Sequence, residues 1–235
     1  WPMDIVEDNV SLFIETFKLE VNDILDNHQN FEKYKRNTML YQIKTLINFI
    51  NSKPKHILYE LDNSGEVIFD LELINYALTL GHTITIVAKE HPILNDITKD
   101  DVLKLLKDNK EINIFDSYKN QINVISSGCI STGKMTDYVS QEYIDAYNLC
   151  DVQIIKGQGN FQTMPMGIVI NKQFFPNKYK KPVFYLMGIK APMIEQSLKS
   201  ILKEEYILKQ EMFLYYFNSE NTCTFPFNLS KSHIG

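Results

Sequence analysis

Apolar positions along the chain follow two different periods. Residues 9 to 25 place Val10, Phe13, Ile14, Phe17, Val21, Ile24 and Leu25 at steps of three and four, the spacing of one face of an amphipathic helix. A second stretch, 37 to 51, does the same with Met39, Leu40, Ile43, Leu46, Ile47 and Ile50. It stops at Asn51-Ser52 with Pro54 just beyond, a recognisable helix end. Neither helix carries a chemical motif, so packing is their expected job.

From residue 55 short apolar runs alternate with helical spacing. His56 to Leu61 reads as a buried strand and Val67 to Leu80 as a helix closed by Gly81. Strands are then expected at Thr83 to Ala88, Ile122 to Ile125, Val152 to Ile155 and Val183 to Met187. Helices are expected at Thr98 to Lys107, Tyr138 to Leu149 and Ile189 to Leu202, the last with Pro192 in its first turn. Glu204 to Phe217 reads as one more helix running into an irregular tail. Alternation at this spacing predicts a three-layer α/β/α fold, with a mostly parallel, doubly wound sheet preceded by N-terminal helices. The expected division is a helical segment at 1–54 packing on an α/β domain at 55–235, the two forming one structural unit.

Composition narrows the class. With 235 residues, 44% of them hydrophobic, the chain can bury one large core. A net charge of −5 with dispersed basic residues argues against nucleic acid as a partner. Lys178, Lys180 and Lys181 read as a solvated loop. Cys129, Cys150 and Cys223 are odd in number and lack CxxC spacing, which points away from disulfides and zinc and towards a reducing compartment. No apolar run approaches the roughly 20 residues of a membrane span, and no cleavable signal pattern is expected at the start. A soluble cytoplasmic protein is therefore expected. The chain opens on Trp1, as a fragment or processed product would. His56, His82 and His91 read as incidental rather than as ligands.

In an open parallel sheet, ligands bind beyond the carboxyl ends of the strands. After the first strand come Asp62, Asn63, Ser64, Gly65 and Glu66; after the second, Asn95 and Asp96; after the third, Ser126, Ser127 and Gly128; after the fourth, Lys156, Gly157, Gln158, Gly159 and Asn160. Asp62, Asn63 and Asp96 offer only hard oxygen donors, suited to Mg²⁺ or Mn²⁺. The serines, glycines and lysine are parts of a phosphate cradle. Simpler roles exist for each cluster. Asp62-Asn63 suits a helix N-cap with Glu66 as its partner, and Asn95-Asp96 suits a turn and cap before Thr98. Capping offers no reason for Lys156 or the serines.

Together these blocks resemble the damage-control phosphatase family, also called domain of unknown function eighty-nine. The resemblance rests on "DNSGEVIFD" at 62–70, "PILNDITKDD" at 92–101, "SSG" at 126–128 and "KGQGNFQ" at 156–162, in order and in register. It implies a metal-dependent phosphatase acting on a small phosphorylated metabolite, with Asp62, Asn63 and Asp96 holding the metal. It also implies that Ser126, Ser127, Gly128, Lys156, Gly157 and Asn160 surround the phosphate. Family members are reported with Mn²⁺, Co²⁺, Ni²⁺ or Mg²⁺. Lys190 matches a lysine of the family pattern, whereas Ala191 stands where a cysteine is common and Gln162 where a glutamate is usual. Lys156 would stabilise charge on the phosphoryl oxygens. Glu66 would orient water, act as general base or complement the helix dipole, and Asp62 is itself a candidate nucleophile. Two other readings share the fold: an S-adenosylmethionine-dependent carboxyl methyltransferase and a catalytically silent regulatory domain. Oligomeric state is open.

Overall fold

A computed structural model describes residues 45–108, 117–134, 138–163, 168–170, 173–175, 181–192, 194–196 and 212–217. All of them lie in the unit spanning Gln42–Gly235. The expected helix at 9–25, the first part of that at 37–51 and the C-terminal tail lie outside the described residues. Residues 45–50 are helical and bury Leu46 and Ile50.

The core is a six-stranded sheet in the order β3-β2-β1-β4-β7-β8. Its strands are β1 (His56–Glu60), β2 (Thr83–Ala88), β3 (Ile122–Ser126), β4 (Val152–Lys156), β7 (Val183–Gly188) and β8 (Met212–Phe217). β5 (Ile168–Ile170) and β6 (Gln173–Phe175) form a separate antiparallel pair that the periodicity did not predict. The first five strands of the main sheet pair in parallel, and β8 closes one edge antiparallel to β7. Every residue of β4 is buried, as a strand covered on both faces requires.

Four helices matter here: α1 (Val67–Thr79), α2 (Lys99–Asp108), α3 (Gln141–Leu149) and α4 (Gln158–Thr163). Side chains alternate across a strand, and β1 shows the two faces being used. Leu58 packs with Val87, Ile125, Tyr143, Ala146 and Cys150, so α3 covers its face. Tyr59, on the other face, donates its hydroxyl to Asp70 of α1 at 2.7 Å. Helices therefore flank the sheet on both sides, as the alternation predicts. α2 packs on β2 and β3, and α4 on β4 and β7.

Local chemistry sets the helix ends. Gly81, at φ +85, follows α1; its N–H reaches Leu78 O while His82 N–H reaches Ala77 O, the paired bonds of a Schellman stop. His82 is buried and has both ring nitrogens engaged, Nδ1 accepting from Lys55 N–H and Nε2 donating to Ile50 O. Lys181 caps the far end of α3, donating to the carbonyls of Asn148 and Cys150, so this member of the basic cluster has a structural task.

Two expected helices need correction. The one predicted from Tyr138 begins at Gln141, because the Ser140 hydroxyl accepts from Tyr143 N–H and sets the start. The helix expected to reach Phe217 is instead β-structure over Met212–Phe217, paired from Gly188↔Met212 to Val183↔Phe217. A run of Phe and Tyr beside an open sheet edge gains more from pleated pairing than from a helix.

Chain order fixes the position of the site. The chain steps outward from β1 to β2 and β3, then returns to lay β4 on the other side of β1. Connections leaving β1 and β4 thus diverge, which opens a crevice at their carboxyl ends.

Candidate active site

Asp62 and Asn63 follow β1 into that crevice, and neither caps α1. The N-cap position is Glu66, four residues after Asp62, in helical conformation and with no side-chain cap bond. Instead Asn63 Nδ2 donates to Glu66 Oε1 at 2.9 Å. Nor does Asp96 cap α2, because Thr98 and Asp101 do so reciprocally. Asp101 N–H reaches Thr98 Oγ1 at 3.2 Å, and Thr98 N–H reaches Asp101 Oδ2 at 3.2 Å, a capping box.

Released from capping, the two acidic stretches are zipped together by backbone. Asn63 and Asp96 form an antiparallel bridge. Ser64 N–H donates to Asn95 O at 2.8 Å, and Ile97 N–H to Asp62 O at 2.9 Å. Residues directly opposite in such a bridge project to one face, so the Asn63 amide and the Asp96 carboxylate stand together. Leu94 makes the tight approach at φ +50, a conformation that costs a non-glycine residue about 1–3 kcal/mol and clusters at functional sites.

Burial and mutual repulsion disfavour the ionised carboxylates of this corner. Burial, then the Asp96 and Glu66 carboxylates, push the Asp62 carboxyl up to about 6, against the opposing pull of Lys190 and Lys89. Burial also raises Asp96, despite Lys89 Nζ at 3.6 Å from its Oδ2. That Oδ2 is buried without a hydrogen bond. Among the described residues no three of His, Cys, Asp or Glu gather in metal-holding geometry; the oxygen set is two carboxylates and the Asn63 amide. Crowded carboxylates and an amide oxygen fit a hard divalent cation.

β4 supplies the opposing wall. Lys156 Nζ lies 3.0 Å from Asp70 Oδ1 and 3.1 Å from Glu66 Oε2, two acids one turn apart on α1. Burial alone would lower the Lys156 pKa, but these carboxylates outweigh it and raise it. For Glu66, burial is likewise outweighed, by the Asn63 amide and Lys156, and its carboxyl is held below the usual range. Glu66 thus bridges the Asn63 amide to the Lys156 ammonium. Gly157 follows at φ +82, and a Cβ there would fall 2.2 Å from the Asp62 Cγ.

Two phosphate candidates lie close by. Asn160 is wholly buried, its Nδ2 donating to Lys156 O at 2.9 Å while its Oδ1 has no partner. Lys190 is exposed beyond β7, held by its own N–H donating to Gln158 Oε1 at 2.8 Å. Its charge opposes the rise of Asp62 and Asp96 and helps to lower Glu66, so it stands near the acidic corner.

Ser126, Ser127 and Gly128 make local contacts at the end of β3. Ser126 Oγ accepts from Gly128 N–H at 3.0 Å and Ser127 Oγ from Cys129 N–H at 3.3 Å. Gly128, at φ +75, packs against Ser140 at the start of α3. β3 stands two strands from β1, about 10 Å away at ordinary spacing. What reaches the corner is the chain beyond them, where Lys89 Nζ donates to Ser131 O at 3.0 Å and Thr132 O at 2.9 Å.

Sequence reasoning passed over Asp70, Tyr59 and Lys89. A signal existed for two of them. Asp70 lies one turn beyond Glu66 on the apolar side of a helix, and Lys89 ends an apolar strand as Lys156 does.

Fold and site together define a doubly wound α/β domain with an acid-and-lysine centre at its switch point. The chain belongs to the damage-control phosphatase ARMT1-like domain family, whose model matches residues 15–205. The damage-control phosphatase PH1575 of Pyrococcus horikoshii is 32% identical over 148 residues, 63% of this chain and 44% of that protein. An uncharacterized protein of Methanocaldococcus jannaschii is 27% identical over 187 residues, 77% of this chain and 55% of that one. The crystal structure of the Pyrococcus horikoshii DUF89 protein superposes with a TM-score of 0.52 at 30% identity, covering 72% of this chain and 49% of its own. The chain thus spans about half the length of the relatives it matches.

Proposed function

We propose that this domain hydrolyses a phosphomonoester of a small metabolite, such as a sugar phosphate, in metabolite damage control. We propose that a divalent cation, Mn²⁺ or Mg²⁺ with Co²⁺ or Ni²⁺ as substitutes, is held by Asp62, Asn63 and Asp96. The observation that carries the reading is the Asp62–Asp96 corner: two carboxylates on backbone-paired stretches, with their pKa values raised and one oxygen buried without a hydrogen bond. Such a cation would offset that repulsion, polarise a phosphoryl oxygen and acidify water.

The chain's own groups do the rest. Lys190, exposed and near the acids, receives the incoming phosphate. Lys156, neutralised by Asp70 and Glu66, fixes the wall against which the substrate is oriented. Glu66 is ionised but committed to Asn63 and Lys156, so it holds the Asn63 amide in place rather than taking a proton. Positioning and charge stabilisation are the main demands of phosphoryl transfer.

The test uses the full chain with p-nitrophenyl phosphate and a panel of sugar phosphates, with EDTA and with each metal added back. Activity should vanish with EDTA, return with Mn²⁺, and be lost in Asp62→Ala and Asp96→Ala. Hydrolysis indifferent to EDTA, or full activity in both variants, would overturn the assignment. Trapping of a phosphoenzyme in a rapid quench would make Asp62 the nucleophile; its absence would favour direct water attack.

A further inference from the structure

One buried ion pair beside this corner has no part in the chemistry above. Glu60, the last residue of β1, is wholly buried, and its carboxylate meets the buried ammonium of Lys134. Its Oε1 also accepts from the Tyr143 hydroxyl at 2.6 Å. Lys134 Nζ lies 5.3 Å from the Tyr143 ring centroid, within cation–π range.

Lys134 ends a short segment, Ser131–Lys134, that is tied at every residue. Lys89 holds the carbonyls of Ser131 and Thr132. Lys134 N–H donates to Thr163 Oγ1 at 2.7 Å, and Thr163 Oγ1 in turn donates to Gly159 O at 3.1 Å. A Cβ on Gly133 would fall 2.6 Å from Gly159 O, and one on Gly159 would fall 2.9 Å from Thr132 O. Backbone therefore rests directly on backbone, which only glycine permits at these two positions. The helix it rests on, α4, begins beside Gly157, and Gly157 abuts Asp62. Contacts thus run without a break from Glu60 through Lys134, Gly133, Gly159 and Gly157 to Asp62.

Stability alone does not explain such a pair, since apolar residues of similar volume usually serve a core as well as two desolvated charges. An ion pair adds a unique location, because burial disfavours the Lys134 ammonium anywhere that Glu60 is not beside it. We infer that Lys134 is a positioning residue: paired with Glu60, it fixes Ser131–Lys134 across the strand ends, and this segment seats Gly157–Asn160 against Asp62. Its effect on turnover rests on the phosphatase reading; its effect on the segment does not.

The test is the double substitution Glu60→Leu with Lys134→Met in the full chain, because Lys134→Met alone would strand a buried carboxylate. The double variant should fold with a modestly lowered melting temperature, because the Tyr143 hydroxyl loses its acceptor. Amide exchange at 131–134 and 158–160 should rise at least about tenfold, and the KM for p-nitrophenyl phosphate with Mn²⁺ should rise between about ten- and a hundredfold, more than kcat falls. Faster exchange in a chain whose parent hydrolyses no phosphoester would retain the positioning role and remove the phosphatase reading. Parental exchange in the folded double variant, or faster exchange with unchanged KM and kcat, overturns the inference. Should the double variant fail to fold, Thr163→Val cuts the segment's second tie, the bond from Lys134 N–H, without unpairing a charge. It should raise exchange at 133–134 and KM in the same direction, and parental values for both overturn the inference.

Discussion

Gly157 stands so close to Asp62 that a methyl group at 157 would overlap the carboxylate, at 2.2 Å from both Cγ and Oδ2. The same residue holds φ +82, where an L side chain is strained. Gly157→Ala meets both penalties: about 1–2 kcal/mol for the left-handed backbone and about 1–3 kcal/mol for overpacking. It should lower the urea midpoint and, by moving Asp62, cut Mn²⁺-dependent hydrolysis by more than about tenfold. Urea denaturation beside steady-state kinetics checks both; a variant with parental activity would separate Gly157 from the working of the acidic corner.

Lys156 holds two acids of one helix, and Asp70 is the more buried of them. Lys156→Met removes the cation and leaves Asp70 buried with only the Tyr59 hydroxyl, a loss of about 3–5 kcal/mol. The Asp70 carboxyl is already raised by burial, and without Lys156 it should rise further. A carboxyl raised in the folded state weakens folding at pH above its folded pKa, and the penalty disappears below the unfolded value. The stability deficit of Lys156→Met should therefore shrink as pH falls from 8 to 4. Adding Asp70→Asn should remove most of that pH dependence. Thermal melts of the single and double variants across this range supply the check.

The fold was legible because its signals are local and repeated: apolar β-branched runs, helical spacing, and Gly81 at a helix stop. β8 was not legible, since "FLYYF" suits helix or strand until β7 offers an edge. In the candidate site, Asp62, Asn63, Asp96 and Lys156 could be named because each lies at or beyond the end of a strand. Whether these residues cap their helices could not be decided from sequence. It depended on Thr98 and Asp101 taking the cap of α2, and on α1 starting at Val67. The Lys156–Asp70 pair spans 86 positions along the chain, and no periodicity encodes such a distance. The local bonds that the Ser126 and Ser127 hydroxyls accept from Gly128 and Cys129 N–H were likewise invisible in the spacing of the chain.

Metal affinity should depend on pH through Asp62. A cation needs the carboxylate, and the proton it displaces is held with a pKa of about 6. Below pH 6 the Mn²⁺ dissociation constant should weaken by roughly tenfold for each unit, and above about pH 7 it should level off. Calorimetric titration at pH 5, 6, 7 and 8, in buffers of different ionisation heat, should also show proton release on binding at pH 5 and almost none at pH 8. A flat affinity across this range would mean that Asp62 is not a ligand.

The corner should also be a place where activity is kept at the expense of stability. Asp62 has its carboxyl raised by burial and by two neighbouring acids, so its ionised form opposes folding near pH 7. That opposition is absent below the unfolded value of about 4, grows as pH rises to about 6, and is constant above it. Asp62→Asn keeps the shape and removes the charge, so the metal-free chain should become more stable at pH 7, by on the order of 1 kcal/mol after allowance for partial solvent exposure. At pH 4 the gain should vanish. Hydrolysis should be lost, and so should the rise in melting temperature that Mn²⁺ is expected to give the parent through linkage. Melts of both proteins with EDTA and with Mn²⁺, at pH 4 and pH 7, separate the two effects. A destabilised Asp62→Asn at pH 7 would show that this carboxylate serves the fold itself, and the cation reading of the corner would then fall on Asn63 and Asp96 alone.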